Sequence, residues 1–344
     1  MIAARLHRYH EPLAVEQIAE PEITGPHDVI VRVGGAGLCR TDLHVQEGQW
    51  AEKSGVELPY VLGHENAGWV AEIGSAVSNV EVGDTVIVHP LVTCGLCRAC
   101  RAGDDVHCEN NLFPGISVDG GFAALLKTSA RSVVKLDPSL HPKDIAALAD
   151  AGLTAYHAVK KAVAGLYPGT RAVVIGAGGL GHIGIQCLKA MTPAEIIVVD
   201  PSEQARALAG EIGADVTVAA DGRQVDTILE MTDGKGAEAI IDFVGEKGAI
   251  EDGVAMLRDA GSYYVIGYGE NINVPTIDII SREINFIGNL VGSYNDLAEL
   301  MTLTAQGKVT LHTSVYPLEA VNDAMADLDQ GRLQGRGILV AEAA

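Results

Sequence analysis

The sequence predicts a two-domain α/β protein, a β-barrel followed by a doubly wound parallel sheet. Three observations predict it. A chain of 344 residues is too long for one ordinary core and suits two. The first 135 residues are dense in β-branched runs and turns. From Thr170 onward strand and helix patterns alternate, and repeated β-α units of that length specify a parallel sheet with helices on both faces.

The elements follow in order. Strands are expected over 29–33, 69–73 and 85–88, each ended by Gly, Pro or Asp. Residues 143–164 lack Pro, carry one Gly and are rich in Ala and Leu, so they should be largely helical. Strands at 171–175, 196–200, 215–218, 239–244, 262–266 and 284–290 alternate with helices at 180–191, 202–212, 224–231 and 249–258. Helices at 295–305 and 318–329 and a strand at 337–340 close the chain and should return to the first domain.

Composition excludes several classes of function. Lys and Arg number 24 against 45 Asp and Glu, a net charge of −21. Such a surface repels phosphate backbones and anionic lipids, which argues against nucleic-acid and membrane partners. The first residues carry no apolar run of signal-peptide length, and no transmembrane span is visible. Of six cysteines, four crowd into fifteen residues, the pattern of a metal site in a reducing compartment, and the cytoplasm is the expected location.

Residues 173–181, VVIGAGGLG, read as strand, glycine-rich turn and helix start. The Gly-x-Gly-x-x-Gly lies at Gly176, Gly178 and Gly181, with Gly179 and Leu180 between. The first glycine permits the tight turn, the second lets a pyrophosphate approach the backbone, and the third lets helix and strand pack closely. Asp200 ends the second strand nineteen residues past Gly181. A carboxylate there accepts both adenosine ribose hydroxyls and repels a 2′-phosphate, so NAD is expected rather than NADP. The alternative role for Asp200 is a capping residue before Pro201.

Cys94, Cys97, Cys100 and Cys108 supply four thiolates from one loop, which suits a tetrahedral zinc ion with no open position. Buried thiols or two disulfides are the alternatives. Cys39 and the His64-Glu65 pair are scattered, and each taken alone is weak. Cys187, on an apolar helix face, reads as core.

In order along the chain, residues 37–44 (GLCRTDLH), 63–65 (GHE), the four-cysteine loop and the glycine turn resemble the medium-chain zinc-dependent alcohol dehydrogenases. The resemblance implies a GroES-like β-barrel catalytic domain built from both chain ends, 1–152 and 293–344. Between those two stretches the chain would form a Rossmann coenzyme domain, 153–292, with the active site in the cleft between the domains. A catalytic zinc would take Cys39, His64 and, where the family often has Cys, Asp150. The other possibility is that Glu65 is the anionic ligand and Asp150 a surface acid.

The same resemblance assigns further roles. Asp42 would orient the His64 ring, and Thr41 and His44 would form a proton relay. Glu65 would sit behind the zinc and could ligate it transiently. Arg40 and Arg336 would touch the pyrophosphate. Thr154 and Leu180 would press on the nicotinamide ring, which Gly267 and the backbone near Leu290 would border. Trp50 would wall the alcohol pocket, against the alternative of a loop Trp packed on the barrel.

The implied activity is reversible hydride transfer between NAD and a primary or secondary alcohol, with two zinc ions per chain. A polyol, amino-alcohol or hemithioacetal dehydrogenase using the same machinery is the alternative. A zinc-free quinone reductase would lack the metal residues, and a non-catalytic NAD sensor would not need Thr41 and His44. Only eleven residues separate Cys108 from Gly120, shorter than in some dimeric members, so a homotetramer is expected.

Overall fold

A computed structural model describes residues 1–333 and 335–341. The chain forms two compact units, Met1–Leu153 with Ser293–Ala344, and Thr154–Gly292.

The first unit begins with β1 (Ile2–Leu6), β2 (Ala14–Gln17) and β3 (Asp28–Leu38). Next come α1 (Arg40–Gln46), α2 (Ala51–Ser54), β4 (Tyr60–Val61), β5 (Glu65–Ile73) and β6 (Thr85–Val88). A loop carrying α3 (Arg98–Ala102) leads to β7 (Leu125–Ser129) and β8 (Val133–Lys135). β3 is the spine of this unit, pairing antiparallel with β5 and β7. It runs five residues beyond the expected strand and delivers Cys39 at its end.

The expected helix over 143–164 is broken. α4 (Pro142–Ile145) passes through a 3-10 turn, Ala146–Ala149, and α5 (Ala151–Ala162) starts anew. Between them Asp150 sits at φ −129°, ψ −58°, outside the helical region. The break has a local cause: the Glu65 carboxylate accepts the Ala151 N–H at 3.0 Å and so supplies the new helix with a cap from another strand. Alanine-rich composition could not reveal a cap contributed from 86 residues away.

The second unit is the doubly wound sheet. It alternates β9 (Arg171–Ile175), α6 (Gly181–Met191), β10 (Glu195–Asp200), α7 (Glu203–Ile212), β11 (Val216–Ala219), α8 (Gln224–Met231) and β12 (Ala237–Asp242). It continues through α9 (Ala249–Met256), β13 (Leu257–Val265), α10 (Thr276–Arg282) and β14 (Asn285–Gly288). All pairs are parallel, in the order β11-β10-β9-β12-β13-β14. The order reverses between β9 and β12, where dinucleotides bind outside the carboxyl ends of the strands. β14 ends at Gly288, two residues before the expected limit, and α10 was not expected. Its Ile277 and Ile280, three residues apart on one face, are both exposed.

The chain then returns to the first unit through α11 (Tyr294–Ala305), β15 (Thr313–Pro317), α12 (Val321–Asp329) and β16 (Arg336–Val340). β16 pairs antiparallel with β3, Gly337 opposite Leu38, and so sets Arg336 beside the end of β3. Each unit has its own apolar core, one around Leu6, Val31, Leu62 and Phe122, the other around Val173, Ile197, Ile240 and Tyr263. Among the described residues no helix is long and apolar enough to cross a membrane.

Candidate metal centres and cofactor turn

Two groups of side chains gather ligand atoms within 4.8 Å of one another: Cys94, Cys97, Cys100 and Cys108, and Cys39, His64, Glu65 and Asp150.

The four-cysteine loop contains no disulfide. Cys94 and Cys100 sulfurs lie 4.0 Å apart, against about 3.8 Å for the edge of a tetrahedron with Zn–S bonds of about 2.3 Å. Backbone N–H groups point at the sulfurs. Leu96 and Cys97 donate to Cys94 at 3.4 Å, and Cys94 and Asn110 donate to Cys108 at 3.3 and 3.4 Å. The donors at Leu96 and Cys97 pull the Cys94 thiol down to about 6. Those at Cys100 and Glu109 lower Cys97. Burial instead pushes Cys100 up to about 12. Four thiolates cannot all be held so close without a cation, and the donor set fits zinc with no ligand position left over.

Cys100→Ser is expected to remove this ion and lower the melting temperature, while kcat per folded chain stays within about twofold because the site is closed to substrate. Thermal melts and active-site titration check it. A hundredfold loss of kcat at an unchanged melting temperature would contradict the structural assignment.

In the second group Cys39, His64 and Glu65 are buried and Asp150 is half-buried. Cys39 caps α1, and Asp42 sits three residues on in a capping box. Asp42 Oδ2 accepts the Cys39 N–H at 2.9 Å, and Oδ1 lies 3.3 Å from His64 Nδ1. One carboxylate thus positions both a sulfur and an imidazole. The ring's other nitrogen, Nε2, lies 3.5 Å from Asp150 Oδ2. Burial opposes protonation of His64, but the flanking Asp42 and Asp150 raise its pKa well above the ordinary value. A bound cation would take over that role and leave the ring neutral.

The two carboxylates near His64 differ in what they already hold. Glu65 is fully buried with both oxygens engaged, Oε1 by the Ala151 N–H and Oε2 by Arg336 at 2.5 Å. Asp150 Oδ1 is buried with no hydrogen-bond partner, and so is His64 Nε2. Orphaned polar atoms converging with a buried sulfur fit a metal ion, and of the two carboxylates Asp150 is the one with an oxygen not already hydrogen-bonded. Gly37 makes room for this arrangement, since a Cβ there would come within 2.1 Å of Glu65 Oε2.

Thr41 and His44 follow on α1, three residues apart and so on one face. The Thr41 hydroxyl is 3.6 Å from Cys39 Sγ. Arg40, the first residue of α1, is exposed. Arg336 stands differently from the expectation. It is 4% exposed and paired with Glu65, and only the return of β16 beside β3 reveals that partner. Trp50 is half-buried against the core of the first unit, with the Lys53 ammonium 5.6 Å from its ring centroid. Sequence reasoning missed Phe113, whose ring meets His64 edge-on at 5.8 Å. No motif marks it, because the contact depends on how the loop after Cys108 folds back.

In the second unit β9 runs into the glycine turn and α6. Gly176 has φ +89°, and a Cβ on Gly181 would come within 1.9 Å of the Gly176 carbonyl oxygen, so the turn closes only with glycine at both places. Gly178 is exposed, and a Cβ there would meet nothing within 4 Å, leaving open space for a phosphate at the helix N-terminus. Asp200 Oδ2 accepts the Ala177 N–H at 2.8 Å, and Oδ1 accepts the Ser202 N–H at 2.8 Å. It is thereby locked to the turn, and a carboxylate has lone pairs left for ribose hydroxyls. Gly179 and Leu180 are half-buried, Leu180 at the N-cap of α6. Thr154 lies on α5, half-buried, and Leu290 is exposed beyond β14. Gly267 packs against the Val244 backbone. Cys187 is fully buried, and burial pushes its thiol up to about 12.

Two family profiles match the chain, the alcohol dehydrogenase GroES-like domain over residues 25–138 and the zinc-binding dehydrogenase over 179–306. A D-arabinose 1-dehydrogenase (NADP(+)) of Saccharolobus solfataricus is 38% identical over 343 residues, covering 98% of this chain and 97% of the relative. An NAD-dependent alcohol dehydrogenase of Sulfolobus acidocaldarius is 37% identical, covering 98% and 99%. The crystal structure of the alcohol dehydrogenase from Aeropyrum pernix superposes with a TM-score of 0.95 at 46% identity, covering 99% of this chain and 100% of that one.

Proposed function

The chain belongs to the zinc-dependent medium-chain alcohol dehydrogenases, and from that premise we propose that it oxidises a small primary or secondary alcohol to an aldehyde or ketone with NAD, and runs the reverse. The observation that carries this reading is the convergence of Cys39, His64 and an unsatisfied Asp150 carboxylate in one cluster.

Zinc held there supplies Lewis acidity that brings an alcohol's pKa toward neutrality, and NAD supplies the hydride acceptor. The chain's own residues do the rest. Cys39 Sγ, His64 Nε2 and one Asp150 oxygen would hold the ion, the three protein ligands a catalytic zinc needs. Asp42 fixes the His64 ring through Nδ1. Thr41 takes the hydroxyl proton and His44 passes it toward solvent. Glu65, held by Arg336 and the Ala151 N–H, places negative charge behind the ligands. The glycine turn and Leu180 seat the dinucleotide, with Arg40 reaching its pyrophosphate and Thr154, Gly267 and Leu290 bordering the nicotinamide. Trp50 is read as a wall of the alcohol pocket, its other face resting on the core.

A sugar or polyol substrate is the second reading, supported by the relative named for D-arabinose. That relative's name also carries NADP, so the cofactor is where this chain can be told apart. Asp200 sits at the end of β10 and is tied by two backbone N–H groups to the turn. Initial rates of NADH formation should exceed those of NADPH formation by at least about tenfold in kcat/KM, and Asp200→Ser should narrow the gap. A panel of ethanol, 2-propanol, a polyol and an aldose identifies the substrate class. Equal rates with both cofactors would overturn the role of Asp200, and no turnover of any alcohol would overturn the function. A homotetramer is proposed from the short 108–120 connection, and a cytoplasmic location from the four closely spaced thiols, which need a reducing compartment.

A further inference from the structure

Tyr263 and Asp242 form a buried polar pair that the reaction described above does not use. Both are completely buried, and Tyr263 is among the largest fully buried side chains of the protein. The Tyr263 hydroxyl donates to Asp242 Oδ2 at 2.6 Å. Gly253 of α9 leaves the space the ring fills, since a Cβ there would lie 2.5 Å from it. The other carboxylate oxygen, Oδ1, accepts the N–H groups of Val244 at 2.8 Å and Gly245 at 3.0 Å. The Asp242 carbonyl oxygen accepts those of Ile266 at 3.1 Å and Gly267 at 2.9 Å. One residue therefore gathers the loops leaving β12 and β13.

Those loops touch each other and the cofactor turn. A Cβ on Gly245 would lie 2.3 Å from the Gly267 carbonyl carbon, and one on Gly176 would lie 2.7 Å from a Val244 methyl. β12 opens the second half of the doubly wound sheet, directly across the switch point from β9. In such a sheet the first half takes one mononucleotide and the second half the other. Asp200 places the adenosine on the first half, so the loops held by Asp242 face the nicotinamide half.

We propose that the Asp242–Tyr263 pair positions the nicotinamide half of the dinucleotide, acting through Val244, Gly245 and Gly267 without touching it. The proposal rests on the NAD reading above. The phenol is the brace: it fixes the carboxylate's rotation so that Oδ1 stays on the two loop N–H groups. Tyr263→Phe keeps the ring and removes only that hydrogen bond.

The test compares binding of NADH with binding of ADP-ribose, which has the same adenosine and pyrophosphate but no nicotinamide. Tyr263→Phe should weaken NADH binding about tenfold, the scale of one buried polar group left unpaired. ADP-ribose binding should stay within about twofold. KM for NAD should rise more than kcat falls. Amide exchange of residues 243–245 and 266–267 should quicken without ligand, a readout that survives even if the variant binds poorly. Asp242→Asn, which keeps an acceptor oxygen for Val244 and Gly245, should fall between the two. Equal weakening of both ligands, or no change in either with exchange unaltered, overturns the positioning role. Failure of the unmutated protein to bind NADH or ADP-ribose overturns the cofactor reading itself, and the two failures are distinct.

Discussion

Asp150→Ala should lower kcat/KM for any alcohol substrate by at least about a thousandfold, with the fold intact. Such a loss is on the order of removing a central electrostatic contribution to catalysis. Asp150 Oδ1 has no hydrogen-bond partner, and Asp150 stands in the one non-helical position between two helical segments. Its removal strips the contact with His64 Nε2 but no backbone cap, because the cap on Ala151 comes from Glu65. The loss should therefore appear in turnover and not in the far-ultraviolet dichroism. Asp150→Cys restores a three-ligand set of equal formal charge and should recover part of the activity. Near-normal turnover in the alanine variant would show that Glu65 or another group holds the ion.

The second large effect concerns stability. Arg336→Ala should destabilise the first unit by about 3–5 kcal/mol, the cost of leaving a fully buried partner charge uncompensated. The melting temperature should fall on the order of 10 °C. Arg336 is 4% exposed and forms an ion pair with Glu65, itself completely buried. Combining Arg336→Met with Glu65→Gln should recover much of the loss. The glutamine oxygen can still accept the Ala151 N–H, and no buried charge remains to be paired. If Arg336 instead served mainly to grip the pyrophosphate, the single variant would melt normally and raise KM for NAD alone.

What could be read before the fold was seen, and what could not, follows from distance along the chain. The glycine turn and the four cysteines were legible because their chemistry is local: Gly181 must be glycine on account of Gly176, five residues away, and four sulfurs from fifteen residues can meet only around one centre. Strand ends at Ile175 and Val88 were equally local, with Gly176 directly after the first and Pro90 two residues after the second. Asp150 was reached only through family resemblance, since nothing in an Ala-rich stretch shows where a helix will break. The break, the Glu65 cap and the Arg336 pair are one structure, assembled from residues 86 and 271 positions apart, and it exists only once β16 lies beside β3. The family resemblance gave Arg336 to the pyrophosphate; in the fold its guanidinium pairs with Glu65. The Asp242–Tyr263 pair escaped notice for the complementary reason: each residue is ordinary in its strand, and the parallel register of β12 and β13 brings them together.

The claim at the centre of this account is that the chain holds two zinc ions of different kinds, one closed in by four sulfurs and one held by Cys39, His64 and Asp150. Zinc per chain, measured by plasma emission on dialysed protein, tests it most directly. Two are expected in the unmutated protein and one in Asp150→Ala, with the remaining ion resistant to mild chelation. One zinc in the unmutated protein, or two retained in Asp150→Ala, would contradict it.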